Sequence, residues 1–272
     1  MTKEMQVLVG MGWRAFRPTV AVYVLGSVGY MFLLLWLYPS IVHAPGLESV
    51  LATLPKSLTA TLGLTAGFAN PLAYLTSEYY GTIDLWALMI FTVVGVVRLL
   101  AQGPDRGFAW AWLAGPVSRA QWIMSQGFVF ILGLFVFTLV GMLSTPVALA
   151  IWDRGQHPTP EILVALNLLS FLLFFALAGM TAVCASAFRD DDRALNTAGA
   201  IMALEYLLSL VGGLTPHLVW LRRLSLFGWY RPADIVAHGW HRVWPGALGL
   251  FFIGTLLWIA AIWLFRRRDL SL

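Results

Sequence analysis

Six long runs of apolar residues, separated by shorter stretches that contain charges, dominate the pattern along this chain. Crossing the hydrocarbon core of a bilayer takes about 20 apolar residues in a helix, and each run is close to or above that length. The runs do not alternate between apolar and polar positions, so helices are favoured over strands. The predicted spans are residues 19–38, 83–101, 127–152, 162–188, 194–214 and 245–265.

The second predicted span carries a charged residue near each end, Asp84 and Arg98. Side chains near the end of a spanning helix can extend to the membrane surface, so we expect both charges to snorkel outwards. Before this span, Tyr74, Tyr79 and Tyr80 predict an aromatic belt at the membrane interface, because tyrosine is enriched there.

The connecting regions have patterns of their own. Residues 2–17 place apolar side chains at helical spacing among charges, which predicts a short N-terminal amphipathic helix on the cytoplasmic surface. The stretch 39–82 is too long for a bare loop and repeats leucines on one face, which predicts one or two short outer interfacial helices. The predicted fold is thus an all-α membrane protein with six transmembrane helices, and residues 1–272 form one transmembrane domain.

Composition and charge agree with a lipid environment. The chain is 60% hydrophobic and 11% charged, whereas soluble domains are about 25% charged. The net charge of +4 does not indicate nucleic acid, because the basic residues lie at the ends of the apolar runs. Membrane lipid is the expected surrounding, and the cell membrane is the expected location.

The distribution of basic residues predicts the topology. Of the 17 lysines and arginines, eleven fall on the side of the termini and six on the other. Basic residues are enriched in cytoplasmic loops, so both termini are expected in the cytoplasm. The six on the outer side are Lys56, Arg154, Arg222, Arg223, Arg231 and Arg242.

Nucleotide hydrolysis by this chain is not expected. A phosphate-binding loop needs glycines followed by Lys and Ser or Thr, but the two lysines, Lys3 and Lys56, do not follow glycines. The chain also contains no His-Glu-x-x-His and no Gly-x-Ser-x-Gly motif. We therefore expect a protein that is not an enzyme and that holds no cofactor of its own.

A segment with distinctive motifs, residues 102–126, connects the second and third spans on the cytoplasmic side. It contains Gly-Pro-Asp-Arg-Gly at 103–107, a tryptophan-rich stretch, and Gly-Pro-Val-Ser-Arg at 115–119. One interpretation is a surface helix that anchors the re-entry into the bilayer. The other is a docking element that passes motion from a cytosolic motor to the helices.

These motifs resemble the coupling region of type-2 ABC transporter permeases, with an acidic residue, Arg-Gly, a short helix and Pro-Val-Ser-Arg. Three further stretches resemble the same family in the same order: Pro-Leu-Ala-Tyr-Leu at 71–75, Leu-Ser-Leu-Phe-Gly at 224–228 and Arg-Arg-Arg-Asp-Leu at 266–270. The chain departs from the family at 108–112, where Phe-Ala-Trp-Ala-Trp replaces a glutamate-bearing run, and at Leu226, where the family often has proline.

The resemblance implies a permease subunit of an ATP-driven exporter. ATP and Mg would bind a separate cytosolic ATP-binding subunit, and a second permease chain, identical or related, would complete a dimer. The first, second and fifth spans would line the pathway. The cargo would be hydrophobic or amphipathic, as in multidrug efflux or the export of a peptide antibiotic or lipid. The coupling residues would be Asp105, Arg106, Gly107, Pro116 and Arg119.

Two further candidates come from the residues themselves. Glu205 lies within the fifth predicted span, where an ionised carboxylate is costly. It is therefore either a polar contact in the pathway or subunit interface, or a protonated side chain bonded to a neighbouring helix.

Asp234, His238 and His241 are spaced so that one helical face could offer three metal ligands, which predicts a membrane metalloenzyme as an alternative. A membrane partner of an ATPase that does not transport is another alternative.

Overall fold

A computed structural model describes residues 3–42, 53, 70–101, 117–152, 158–188 and 190–267. These residues form helices and no strands. Six helices are long and apolar enough to cross a membrane, which confirms the all-α prediction and indicates a multi-pass membrane protein. They are α1 (Lys3–Val42), α2 (Pro71–Leu100), α3 (Arg119–Trp152), α4 (Pro160–Ala187), α5 (Asp191–Leu214) and α8 (Trp244–Arg267).

Short elements fill the connection between α5 and α8, residues 215–243, which we name the arginine segment because it carries four arginines. It consists of α6 (Val219–Leu224), α7 (Pro232–His238) and three 3₁₀ turns. The turns are Pro216–Leu218, Leu226–Trp229 and Trp240–Arg242.

The predicted N-terminal surface helix is not a separate element. Helix α1 runs for 40 residues, which at 1.5 Å per residue is about 60 Å, or roughly twice the thickness of the hydrocarbon core. Leu8, Gly12 and Phe16 recur every four residues and are buried. They pack on α3, where Gln126 donates a hydrogen bond to the carbonyl of Leu8 at 3.5 Å. This packing joins the N-terminal residues to the first span.

Helix α2 begins earlier than the sequence predicted. It starts at Pro71 instead of residue 83, and the Asn70 side chain caps it by accepting a hydrogen bond from the Ala73 amide at 2.7 Å. Its residues Leu75–Ile83 form π-helical turns. The predicted interfacial helices of 39–82 fall largely outside the described residues.

Helix α4 packs against α2, α3, α5 and α8, and glycines set its close approach to α8. A Cβ added at Gly254 would lie 2.7 Å from Phe175 Cδ1, and one at Gly179 would lie 2.9 Å from Leu257 Cβ. Both distances are shorter than side chains tolerate, so a larger residue at either position would separate the two helices. The result is a bundle in which α2 and α4 are the most enclosed spans, with 61% and 67% of their apolar stretches buried.

The start of α1 and the end of α8 lie at the same end of the bundle. Leu8 contacts Gln126 near the start of α3, and Trp258 in the second half of α8 packs over Gly127. The arginine segment covers the opposite end, where the hydroxyl of Tyr230 donates to the backbone carbonyl of Tyr80 in α2 at 2.9 Å.

Candidate functional site

A buried carboxylate, Asp84, is the centre of a polar network inside the bundle. Its side chain is only 4% exposed, and its Oδ1 accepts a hydrogen bond from Ser27 Oγ of α1 at 2.9 Å. The hydroxyl of Tyr79 lies 2.6 Å from the same Ser27 oxygen. The prediction that Asp84 snorkels to the surface is wrong, because α2 extends beyond it on both sides. Arg98, by contrast, is exposed.

Tyr79, Tyr80 and Asp84 lie in or directly after the π-helical turns of α2. The backbone amide of Asp84 donates to the carbonyl of Tyr79, five residues back, and Thr82 Oγ1 donates to the carbonyl of Ser77 at 3.2 Å. The rings of Tyr79 and Tyr80 meet edge to face at 4.9 Å, and each residue is 1% exposed. The predicted aromatic belt is therefore wrong for these tyrosines, which point into the bundle. Such π-helical insertions frequently occur at functional sites.

A second cluster of hydrogen bonds connects Tyr80 to α3 and α4, and it meets the Asp84 network through the contact of the Tyr79 and Tyr80 rings. Asn167 Nδ2 donates to the Tyr80 hydroxyl at 3.1 Å. The same hydroxyl lies 3.1 Å from Thr145 Oγ1. Thr145 Oγ1 lies 2.9 Å from the carbonyl of Gly141 and donates to it. Each of these groups is buried and has a partner, as buried polar groups generally require.

Tyr230 connects the network to the arginine segment. Its hydroxyl donates to the carbonyl of Tyr80 and lies 2.9 Å from Ser170 Oγ of α4. Burial raises the pKa of the Tyr230 phenol well above its usual value, so the hydroxyl keeps its proton. One side chain of the arginine segment is thus hydrogen-bonded to both α2 and α4.

A cavity of about 290 Å³ lies over this junction, between α2, α5 and the arginine segment. It is close to the lower end of the range of ligand pockets, about 300–1,000 Å³. Tyr206 and Tyr230 contribute to its walls. Its other polar walls come from Thr76, Ser77, Thr82, Ser209, Arg222, Arg231 and Asp234.

Of the two arginines that line this cavity, one is paired with a carboxylate and the other is not, in the part of the chain that the structure describes. Arg231 Nη1 lies 3.8 Å from Asp234 Oδ2, and Arg231 Nε donates to the carbonyl of Gly228 at 3.2 Å. Arg222 Nε is buried and has no hydrogen-bond partner within the described residues. Burial lowers the pKa of Arg222, the charge of Arg231 lowers it further, and Asp234 opposes both.

Glu205 holds the arginine segment against α5. Its Oε2 accepts a hydrogen bond from the amide of Leu226 at 2.8 Å, and Ser225 Oγ donates to its backbone carbonyl at 2.6 Å. The carboxyl group therefore bonds to the backbone of the Leu226–Trp229 turn. A role of Glu205 in transport stays a prediction.

The predicted metal ligands are not brought together. Asp234 faces Arg231, and α7 ends at His238, because Gly239 adopts a φ of 77°. His241 consequently lies on a separate 3₁₀ turn instead of the same helical face. No group of three potential metal ligands occurs in the described part of the chain.

Most of the predicted coupling residues, Asp105, Arg106, Gly107 and Pro116, lie outside the described residues. Arg119 is the first residue of α3. Ser118 and Gln121 cap that helix reciprocally: Ser118 N donates to Gln121 Oε1 at 2.8 Å, and Gln121 N donates to Ser118 Oγ at 3.2 Å. Part of the Pro-Val-Ser-Arg motif thus starts a helix.

Comparisons with known proteins do not assign this chain to a family. No family model matches it, and no curated protein matches it.

Sequence reasoning missed the buried polar groups around Asp84 and those around Tyr80. A signal for them was present in α4, where Asn167 and Ser170 are polar residues three apart inside an apolar run. Polar residues within a membrane helix usually face the interior of the bundle and pair there. Their partners in α1 and α2 follow only from the packing.

Proposed function

We propose that this chain is the membrane-spanning permease subunit of an ATP-driven exporter of a hydrophobic or amphipathic cargo. Two permease chains would pair and bind two cytosolic ATP-binding subunits, which would hold ATP and Mg. Residues 102–126 would dock on those subunits, with Asp105, Arg106 and Arg119 among the contacts. The cell membrane is its proposed location, with both termini in the cytoplasm.

The observation that supports this proposal most is the exposed stripe of α2. Ile83, Trp86, Ile90 and Val94 are 41%, 53%, 55% and 40% exposed, although most of the rest of α2 is enclosed. They recur at intervals of three or four residues, so they share one helical face. Such an apolar stripe on an enclosed helix suits contact with an apolar cargo or with a second permease chain.

The neighbours of this stripe also fit the proposal. Helix α2 contacts both α1 and α5, and the rings of Trp86 and Tyr206 meet at 5.6 Å. Only 28% of the apolar stretch of α1 and 17% of that of α5 is buried. The resemblance to type-2 permeases assigns the pathway to these same three spans.

The direct test is reconstitution. The chain would be co-purified with an ATP-binding subunit encoded beside it and placed in vesicles. We expect ATP hydrolysis by the complex to be stimulated by an amphipathic substrate, and the substrate to move across the membrane only with ATP. Binding of the subunit without flux would instead favour a membrane partner that does not transport.

A matched pair of substitutions tests the stripe itself. Ile90 on α2 and Ile259 on α8 are the same residue type and are 55% and 57% exposed. Ile90→Trp is expected to abolish most of the coupled transport because it fills the proposed pathway. Ile259→Trp, on a different face of the bundle, is expected to leave transport near normal. Equal transport by both variants would contradict the assigned pathway.

A further inference from the structure

The arginine segment concentrates positive charge at one end of the bundle. Arg222, Arg223, Arg231 and Arg242 are its arginines, and Asp234 is its one acidic residue. Four of the six basic residues that fall on the side away from the termini are therefore in a single connection. Lysine and arginine are usually less frequent on the non-cytoplasmic side of membrane proteins, so four arginines in one connection there are unusual.

These arginines line two neighbouring cavities. Arg222 and Arg231 line the cavity of about 290 Å³ described above, and Arg223, Arg231 and Arg242 line a second one of about 310 Å³. In the first cavity Asp234 neutralises Arg231, at 3.8 Å. The remaining charge is that of Arg222, so the first cavity has an excess of one positive charge.

Arg222 lacks both an ion-pair partner and a hydrogen-bond partner for its Nε within the described residues. The Nε atom itself is buried. A guanidinium cannot lose its proton to escape this situation, and a buried unpaired donor is unfavourable. Arg222 also lines the cavity and has no ion pair within the described residues, so an anion there would supply the missing negative charge.

The other polar walls suit an oxyanion. Tyr206 and Ser209 line the same cavity from α5 and are spaced three apart, so they share a helical face. Their hydroxyls add donors to those of Arg222. Arginine pairs particularly well with phosphate, because its fork of donors matches two oxygens of the group.

The surroundings indicate where such a phosphate would come from. Trp220 and Trp244, at either end of the arginine segment, are 57% and 46% exposed. Tryptophan is enriched at the level of the lipid headgroups, which places the cavity at the depth of the phosphates of the bilayer.

We propose that this cavity binds a phosphate group, carried by an anionic lipid headgroup or present as free phosphate, with Arg222 as its principal ligand. The proposal goes beyond the exporter function and does not depend on it. Binding would fix the arginine segment on α2 and α5, since Tyr230 and Glu205 already connect it to the bundle.

The test uses the full chain, purified in a neutral detergent and depleted of lipid. Phosphatidylglycerol is titrated in, and the bound lipid is counted by native mass spectrometry. Diacylglycerol, which lacks the phosphate, serves as the control ligand. We expect Arg222→Gln to weaken phosphatidylglycerol binding by about tenfold or more, as loss of a charge-assisted hydrogen bond predicts.

Control variants separate this site from general charge effects. Arg193→Gln removes an arginine at the other end of the bundle, whose side chain is 77% exposed and pairs with Asp190. It is expected to bind the lipid like the unaltered chain. Arg222→Lys keeps the charge but not the fork, and should fall between the two. If Arg222→Gln does not fold, Arg222→Lys together with Ser209→Ala provides the same comparison.

A second measurement distinguishes the two sources of phosphate. Thermal unfolding is followed with excess inorganic phosphate and with chloride at the same ionic strength. Stabilisation by inorganic phosphate that depends on Arg222 identifies free phosphate as a ligand. Stabilisation by phosphatidylglycerol alone identifies the headgroup. Equal lipid binding by Arg222→Gln and Arg193→Gln, or no effect of either phosphate source, would overturn the proposal.

Discussion

The side chain of Asp84 and the Nε atom of Arg222 are both buried, but their surroundings differ. Asp84 accepts a hydrogen bond from Ser27, and the neighbouring hydroxyls are also bonded within the bundle. Arg222 has a buried nitrogen without a partner in the described residues, and Arg231, which lines the same cavity, is paired with Asp234. The described part of the chain supplies a partner for the Asp84 carboxylate but none for the Arg222 Nε.

This difference distinguishes polar groups that stabilise the fold from polar groups that are suited to bind a ligand. A buried polar group whose partners are all supplied by the chain stabilises one arrangement of the helices. A buried charge that lacks a partner destabilises the empty form and favours binding of an opposite charge. Removing the first should therefore harm stability, and removing the second should harm only binding.

The largest effect is expected at Asp84. Asp84→Ala leaves the buried hydroxyl of Ser27 without its acceptor and should reduce the free energy of unfolding by about 3 kcal/mol. Asp84→Asn keeps an oxygen in the same place and should cost less than about 1 kcal/mol. Thermal unfolding in detergent measures both. Equal losses for the two variants would mean that the charge, not the hydrogen bond, stabilises the bundle.

A smaller loss is expected at Tyr230, which joins the two regions. Tyr230→Phe removes the donor to the Tyr80 carbonyl and should reduce the free energy of unfolding by about 1–2 kcal/mol. Tyr206→Phe is the control, since the Tyr206 hydroxyl makes no hydrogen bond within the described residues. If both variants unfold alike, the arginine segment is not held by this bond.

Glu205 should show a further, smaller effect. Glu205→Ala removes the acceptor for the Leu226 amide and should cost about 1 kcal/mol. Glu205→Gln retains a carbonyl oxygen and should unfold like the unaltered chain. Normal ATP-dependent transport by Glu205→Gln would exclude a role of its charge in the pathway, whereas lost transport with unchanged unfolding would support one.

The smallest effect on stability is expected at Arg222. Without an anionic lipid, Arg222→Gln should change the free energy of unfolding by less than about 1 kcal/mol, or increase it, because an unpaired and half-buried charge is removed. Arg193→Gln, at an exposed pair, should be equally mild. Unfolding of lipid-depleted protein measures both. A loss as large as that of Asp84→Ala would show that Arg222 is already paired in the folded chain.

The pattern of apolar residues determined the class of fold. Runs of about 20 apolar residues have no stable conformation in lipid other than a helix, because each backbone group must be paired within its own segment. The six spans and the all-helical architecture are therefore local properties of the sequence. The limits of α1 and α2 are not, since packing on α3 and capping by Asn70 extend both helices beyond their apolar runs.

The tertiary structure alone decided which polar residues are buried together. Asp84 was expected at a membrane surface because it is the second residue of the predicted span 83–101. Its depth in the bundle depends instead on where α2 begins, which is at Pro71. Ser27, Tyr80, Asn167 and Tyr230 come from four different parts of the chain, and hydrogen bonds over such separations leave no periodic trace in the sequence. The sequence by itself determined that six helices are long and apolar enough to cross lipid, because that depends on the solvation of each segment. Their mutual packing decided which charges are satisfied, because that depends on partners distant in the chain.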